Sequence, residues 1–429
     1  MATKQYRAVA EFEPQESIMV TWPYEAISWK EYSQLDVFVN VIRELAEVVH
    51  TYIQCRGCNK DEIWATLQEN GINIDNVELV EFEPDTVIIK EGDLDTFHPA
   101  YTLCWPRDYG AEVVMADDGD RAVISFNKCM WGVGGATVYN REGAVTENMS
   151  RWHAKVCGID NIIWTRLTSE GGDREYNGKG IMMTTAETEI DKRNPQYTRE
   201  EIEKEWKRIA GIEKILWVPR GSYDEEDCCD GPVPGPDNQY NAYKAGGANC
   251  HMDEMARFAD ANTILCGYVD EEEAAKYEIA RLNKERFDEA YEYLKNQTDL
   301  DGNPFRILRL PTPCVQYFTA DFKGKDKDCL LAGYVDRTLD VLGLGEGDVT
   351  FVASQSYANF IITNGKVIAQ QYWSEGLPEC IKQKDEEALS VLREAFPDRK
   401  VVGVNTYALN ILGGGIHCSS RQVCTSRTK

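Results

Sequence analysis

The sequence predicts an α/β protein built from small repeated units. Two observations carry that expectation: short strands paired around tight-turn dipeptides, and one-sided helices recurring between them. Val113-Val-Met and Ala122-Val-Ile-Ser-Phe126 flank Asp118-Gly119. Phe360-Ile-Ile-Thr and Lys366-Val-Ile-Ala flank Asn364-Gly365, and Asn177-Gly178 precedes Ile181-Met-Met-Thr-Thr185. Such dipeptides supply the positive-φ residues that hairpin turns need. The units share a pattern and little residue identity.

The helices follow from their own signals. Thr198 followed by Glu201 is a capping box, after which Ile202, Trp206 and Ile209 fall on one face and Gly211 ends the helix. Lys214-Ile-Leu-Trp-Val218 reads as a buried strand closed by Pro219. A second helix carries Phe287, Ala290, Tyr291 and Leu294. A third carries Ala388, Leu389 and Leu392, stops before Pro397 and leads into the strand Val401-Val-Gly-Val404. The acidic, then Pro- and Gly-rich segment 223–249 reads as a long surface loop within a single domain spanning 1–429. Gly343-Leu-Gly-Glu-Gly347 is not a nucleotide loop, because it does not stand between a strand and a helix.

Charge narrows the function. With 46 Lys+Arg against 72 Asp+Glu, the net charge is −26, which argues against nucleic acid and anionic membrane surfaces and suits a small cationic substrate or simple solubility. No apolar run is long enough to span a membrane. The N-terminal Met1-Ala-Thr-Lys-Gln-Tyr-Arg7 lacks a signal peptide's apolar stretch, so a cytoplasmic protein is expected. The 14 cysteines are then thiols. Cys55-Arg-Gly-Cys58 is the only CxxC pair, and the five histidines do not suggest a metal site. The sequence is compatible with a homo-oligomer.

Five short blocks bring reactive side chains together. In Trp105-Pro-Arg-Asp-Tyr-Gly110, Arg107 and Asp108 are either a surface ion pair or part of a site. Glu170-Gly-Gly172 joins a carboxylate to two residues that permit close backbone approach, as a plain turn also would. In His251-Met-Asp253 an extended backbone would send imidazole and carboxylate to the same face, a pairing suited to proton transfer. Ser356-Tyr-Ala-Asn-Phe360 offers Asn359 at the entrance to a hairpin. Gly413-Gly-Gly-Ile-His-Cys418 leaves Cys418 reachable after a flexible run, either as a nucleophile or as one more buried thiol.

In this order the five blocks resemble the agmatine deiminase and bacterial-type peptidylarginine deiminase family. The resemblance runs from Val20-Thr-Trp-Pro23 to Cys418 and includes Thr184-Thr-Ala-Glu187, Arg193-Asn-Pro195 and Ile212-Glu-Lys-Ile-Leu-Trp-Val-Pro-Arg-Gly221. It implies the pentein fold, a five-bladed propeller of ββαβ-type units around a pseudo-fivefold axis with the site at its centre. It also implies hydrolysis of a guanidino group with release of ammonia through a covalent thiouronium, without metal or organic cofactor. By the same resemblance Cys418 attacks the guanidinium carbon, and His251 protonates the departing ammonia and then deprotonates water. Asp108 and Asp253 hold the planar cation with Glu170 beside them, Trp105 lines the substrate, and Asn359 stands near the reacting centre.

Three departures bear on substrate. Pro106, Tyr109 and Ala111 replace the Met, Thr and Pro common in agmatine deiminases. The Asn usual between Gly415 and Ile416 is missing, and the segment between Gly221 and His251 is lengthened and bears Asp224, Glu225, Glu226 and Asp227. That acidic run is either a solvated charge cluster or a wall for a free amine. The leading expectation is therefore agmatine, converted to N-carbamoylputrescine. Arginine, free or in a peptide, comes second, with amidino transfer, non-catalytic binding and cysteine proteolysis as further alternatives.

Overall fold

A computed structural model describes residues 4–23, 28–82, 104–128, 131, 141–226, 231–328, 339–340 and 342–426. Among the described residues, five sheets share one connectivity, in which an antiparallel strand pair is followed by a helical crossover to a third strand parallel to the second. One unit pairs Glu112–Met115 with Arg121–Asn127 and returns through the helix Arg141–Val156 to Asn161–Thr168. The next uses Glu175–Tyr176, Ile181–Thr185, the helix Arg199–Ala210 and Lys214–Val218. A third uses Ala256–Asp260, Thr263–Tyr268, the helix Glu278–Leu294 and Arg306–Pro311. A fourth uses Ile361–Thr363, Lys366–Gln371, the helix Glu379–Ala395 and Lys400–Asn405. The fifth joins the two ends of the chain: Ser420–Cys424 lies antiparallel to Gln15–Thr21, which crosses through Gln34–Ala46 to His50–Cys55.

Local chemistry explains why these residues form these units. The hairpin glycines adopt positive φ at Gly119, Gly178 and Gly365. Both halves of the Thr198–Glu201 capping box are made, and Gly211 closes that helix in the left-handed region at φ 64°. Its apolar face buries Trp206 completely against Phe126 and Tyr176. Phe287, Ala290 and Leu294 are likewise buried on their helix, as are Ala388, Leu389 and Leu392 on theirs. No helix among the described residues is long and apolar enough to cross a membrane.

The segment 223–249 departs from the surface loop its composition suggests. Val233–Pro234 and Tyr240–Lys244 pair with each other, and the latter lies parallel to Val349–Val352. Together with Tyr317–Ala320 these strands make a further four-stranded sheet. Proline and glycine masked the strands because Pro234 sits at an edge, where no ladder N–H is required of it. Asp227 lies outside the described residues.

Behind the units, charges meet in a buried hub. Arg257 is fully buried and donates from Nε to Glu175 (2.5 Å), from Nη2 to Glu11 (3.0 Å), and from Nη1 to the carbonyls of Ala358 and Phe360 (3.0 and 2.8 Å). Glu11 also accepts from the backbone N–H of Ile362 (2.9 Å) and lies 3.5 Å from Arg107. A second such knot ties Glu112 to Arg174 (2.6 Å) and Arg421 (2.7 Å). Removing one partner of a buried ion pair costs about 3–5 kcal/mol, because the others are left charged and unpaired. Arg257→Ala is therefore expected to lower stability by about that amount. An unchanged urea midpoint would show that the hub does not hold the units together.

Candidate active site

Each reactive block arrives on a short, tightly specified turn. Pro106 opens the one-turn helix Pro106–Tyr109, its ring pre-set for the first helical position. That turn buries both Arg107 and Asp108, which do not pair with each other as a surface couple would. Arg107 Nε instead donates to the carbonyl of His417 (3.2 Å), and the carbonyl of Cys418 accepts from the Arg107 N–H (3.1 Å). Asp108 Oδ1 accepts from the Gly172 N–H (2.8 Å) and Oδ2 from the Trp131 indole (2.7 Å).

Glu170 precedes the 3-10 turn Gly171–Asp173, and both glycines are sterically required. A β-carbon on Gly171 would stand 1.9 Å from the Arg107 carbonyl oxygen. One on Gly172 would stand 2.5 Å from His251 Nδ1 and 3.1 Å from Oδ1 of both Asp108 and Asp253. Three functional groups thus converge on the one point that Gly172 leaves open. Glu170 itself is fully engaged: Oε1 accepts from the Trp131 N–H (2.7 Å), while Oε2 takes Arg193 Nε and Nη2 (2.9 and 2.7 Å) and faces His251 Nε2 (3.1 Å). Arg193 reaches it from the end of the π-helix Glu187–Lys192, a local widening often found beside functional groups.

His251 and Asp253 are not on an extended segment. His251 caps the 3-10 turn Met252–Glu254, and the residues before it, Asn249 and Cys250, are held at φ 68° and 77°. The hydroxyls of Thr185 and Thr188 donate to the carbonyl of Cys250, which secures that conformation (both 2.9 Å). The turn brings imidazole and carboxylate to the same point beside Gly172, and it also delivers Glu254. The glycine run then places the thiol: Gly413 is at φ 94°, Gly414 lies against the Trp105 ring, and a β-carbon on Gly415 would come within 2.4 Å of Asn359 Oδ1. Cys418 Sγ accepts from Asn359 Nδ2 (3.1 Å) and lies 3.6 Å from Asp253 Oδ2 and 3.8 Å from Glu254 Oε1.

The structure therefore gathers Asp108, Glu170, His251, Asp253, Asn359 and Cys418, with Trp105 behind the glycines. Sequence reasoning passes over Trp131, Arg193, Glu254, His417 and Glu11. Glu254 adjoins Asp253 and His417 adjoins Cys418, so those neighbours are the available signal; Glu11 offers no local signal. Of the acidic run, Glu225 is buried and bonds to Ser354, Asp224 is half-buried, and Glu226 pairs with Arg286. A small cavity reaching Glu254 is lined by Asp224, Glu225, Glu273, Ser354 and Ser356.

Electrostatics set the resting protonation states. Burial opposes a charge on His251, but Asp108, Glu170 and Asp253 outweigh it and raise its pKa to about 9. Burial disfavours charge on Glu170 too, yet Arg193 and His251 hold it well below the usual carboxylate range. Burial, then Asp253 and Glu254, push the Cys418 thiol well above its ordinary value. Burial and the neighbouring Glu225 and Asp253 likewise raise Glu254, and burial lifts Glu225 to about 7.

Two buried sets have metal-ligand composition among the described residues. Glu11, Glu175 and His417 form one, but Arg257 already bridges both glutamates. Asp253, Glu254 and Cys418 form the other, with their oxygen and sulfur atoms within 4.8 Å of one another.

Two measurements follow. His251 should remain an imidazolium through neutral pH and titrate near 9 by NMR, with Glu170→Gln moving the midpoint down toward 6.5. Because the folded value lies above the unfolded one, the stability this charge contributes is complete below 6.5 and lost as pH rises through about 9. Cys418 should react with iodoacetamide at pH 7 more slowly than the exposed Cys58 and Cys380. Labelling of Cys418 first, by mass spectrometry, would contradict the protonated resting thiol.

The comparisons with known proteins agree in extent. An agmatine deiminase of Medicago truncatula is 26% identical over 435 residues, covering 96% of this chain and 95% of the relative. The solved agmatine deiminase of Enterococcus faecalis superposes with a TM-score of 0.70 at 23% identity, covering 98% of this chain and 96% of that one. The C. jejuni agmatine deiminase with substrate bound gives 0.65 at 19% identity, covering 99% and 98%. The model of the Porphyromonas-type peptidyl-arginine deiminases matches residues 7–234 and 241–424, omitting only 235–240 within that span, and the chain belongs to that family.

Proposed function

We propose that this protein is a cysteine-dependent guanidine hydrolase acting on agmatine. The observation that carries the reading is the convergence of Asp108 Oδ1, Asp253 Oδ1 and His251 Nδ1 at Gly172, with the Cys418 thiol against Asp253. A guanidinium is planar and presents its N–H groups in a fork, which aspartates can accept on different edges. The relatives named agmatine deiminase, and the five recurring ββαβ units, support the same reading. We take those units as the blades of a pentein propeller whose centre is this site.

The chemistry follows from the charges. Burial, and after it the neighbouring carboxylates, keep the proton on the thiol. An arriving guanidinium supplies a positive charge, so the thiol releases its proton to solvent water as the substrate binds and the thiolate remains. The sulfur attacks the guanidinium carbon, forming a C–S bond. His251, an imidazolium below about pH 9, gives a proton to the departing nitrogen, which leaves as ammonia. The neutral imidazole then takes a proton from water as its oxygen adds to the thiouronium carbon. Breaking the C–S bond returns the thiol and leaves a ureido product. Glu170, with Oε2 committed to Arg193 and His251, orients the imidazole rather than binding the cation.

The acidic cavity favours a second positive charge on the substrate. Asp224, Glu225 and Glu254 line it, their protons held by burial, and an arriving ammonium would draw them toward the charged form, whereas the carboxylate of arginine would find no Lys or Arg in that lining. Free thiols at ten described cysteines fit a cytoplasmic setting.

Ammonia release should be measured on agmatine, arginine and peptidyl-arginine. Turnover of agmatine above the others is expected, with a loss of roughly 10⁴-fold or more in Cys418→Ala. Turnover of carboxylate-bearing substrates alone would overturn the agmatine assignment and keep the mechanism. A folded protein silent on all three would overturn the hydrolase reading.

A further inference from the structure

We infer that His417 is a positioning residue, locked between Glu11 and Asp253 so that Asp253 turns its one free oxygen toward the substrate cation. This rests on the reading of Asp253 as a guanidinium acceptor.

The geometry is confined to buried groups. The His417 ring is 1% exposed; its Nδ1 lies 2.6 Å from Asp253 Oδ2 and its Nε2 lies 2.7 Å from Glu11 Oε2. With each ring nitrogen against a carboxylate oxygen, the imidazole is pinned at both ends. With Oδ2 taken, Asp253 presents Oδ1, which is buried and has no hydrogen-bond partner among the described residues. That oxygen faces the point at Gly172 where Asp108 Oδ1 and His251 Nδ1 also converge. A buried carboxylate oxygen left unbonded is costly unless a ligand completes it, so the orphan marks where an N–H belongs.

Glu11 gives the imidazole a fixed rear anchor. It is held by the Ile362 N–H, by Arg257 and by Arg107, each from a different stretch of chain. The other charged groups near His417 also bear on this arrangement. A carboxylate oxygen of Glu175 stands within 4.8 Å of a ring nitrogen, and Cys418 follows His417 in sequence. Arg257 bonds to Glu175 as well as to Glu11, and the two ring nitrogens reach Glu11 and Asp253. Without the imidazole, Asp253 Oδ2 would have Cys418 Sγ as its remaining partner, at 3.6 Å, and nothing would fix the tilt of its plane.

The test separates cation recognition from general damage. Cys418 is alkylated with 2-chloroacetamidine, a cation of guanidinium shape, and with neutral iodoacetamide. The ratio of the two rates is compared in the wild type, Glu11→Gln and His417→Gln. Glu11→Gln keeps the side chain's volume and its oxygen for the Ile362 N–H, so it still tests the positioning role if His417→Gln fails to fold. A fall in the ratio of roughly tenfold or more is expected in the variants, as for the loss of one hydrogen bond to a charged group, with the neutral reagent's rate little changed. Agmatine KM should rise by a similar factor with a smaller change in kcat. A ratio equal to the wild type's in the folded variants overturns the positioning role. A wild type that does not prefer the cationic reagent instead overturns the guanidine-hydrolase reading itself.

Discussion

The buried guanidinium of Arg257 is the constraint around which this chain is arranged. An arginine and two glutamates withdrawn from water must find each other, since each alone would carry a desolvation penalty of several kcal/mol. Their partners come from Glu11 near the start, Glu175 in one hairpin, Arg257 in another, and the Ala358–Phe360 backbone entering a third. No single unit contains a neutral subset of these charges. The hub therefore forms only when several units meet, which makes it a condition on assembly as well as a source of stability.

The groups gathered around the thiol inherit that order. The backbone that Arg257 grips on both sides of Asn359 sets the amide that donates to Cys418, while the same amide's oxygen accepts from the N–H groups of His417 and Cys418. Arg107, against Glu11 on one side, bonds on the other to the carbonyls of His417 and Cys418. Rigid support of this kind suits a reaction in which a small planar cation must meet a sulfur along one direction.

On the substrate side the balance is the reverse. Asp253, Glu254, Glu225 and Asp224 collect with no arginine bridging them among the described residues, and burial, with Asp253 and Glu254 beside it, keeps the proton on the thiol. Glu170 and His251, by contrast, are matched, with Arg193 completing the set, and the imidazole holds its proton there. A cationic substrate would complete the first set and leave the second undisturbed.

Much of this was legible in the sequence because it is local. Capping at Thr198, termination at Gly211 and the hairpin glycines depend on residues a few positions apart, and the five blocks kept their reactive side chains within spans of three to six residues. The sequence by itself thus determined the α/β units and the family, and it singled out Asp108, Glu170, His251, Asp253, Asn359 and Cys418, which the fold brings together. Tertiary structure decided which of those oxygens remain free, that Glu170 serves the imidazole, that the acidic segment folds partly into a sheet with Glu225 buried, and that Glu11 stands behind His417 across 406 residues of chain. Those outcomes are set by who is buried beside whom. Pairing energy between charges depends on distance in space and on exclusion of water, and neither is written in the order of residues.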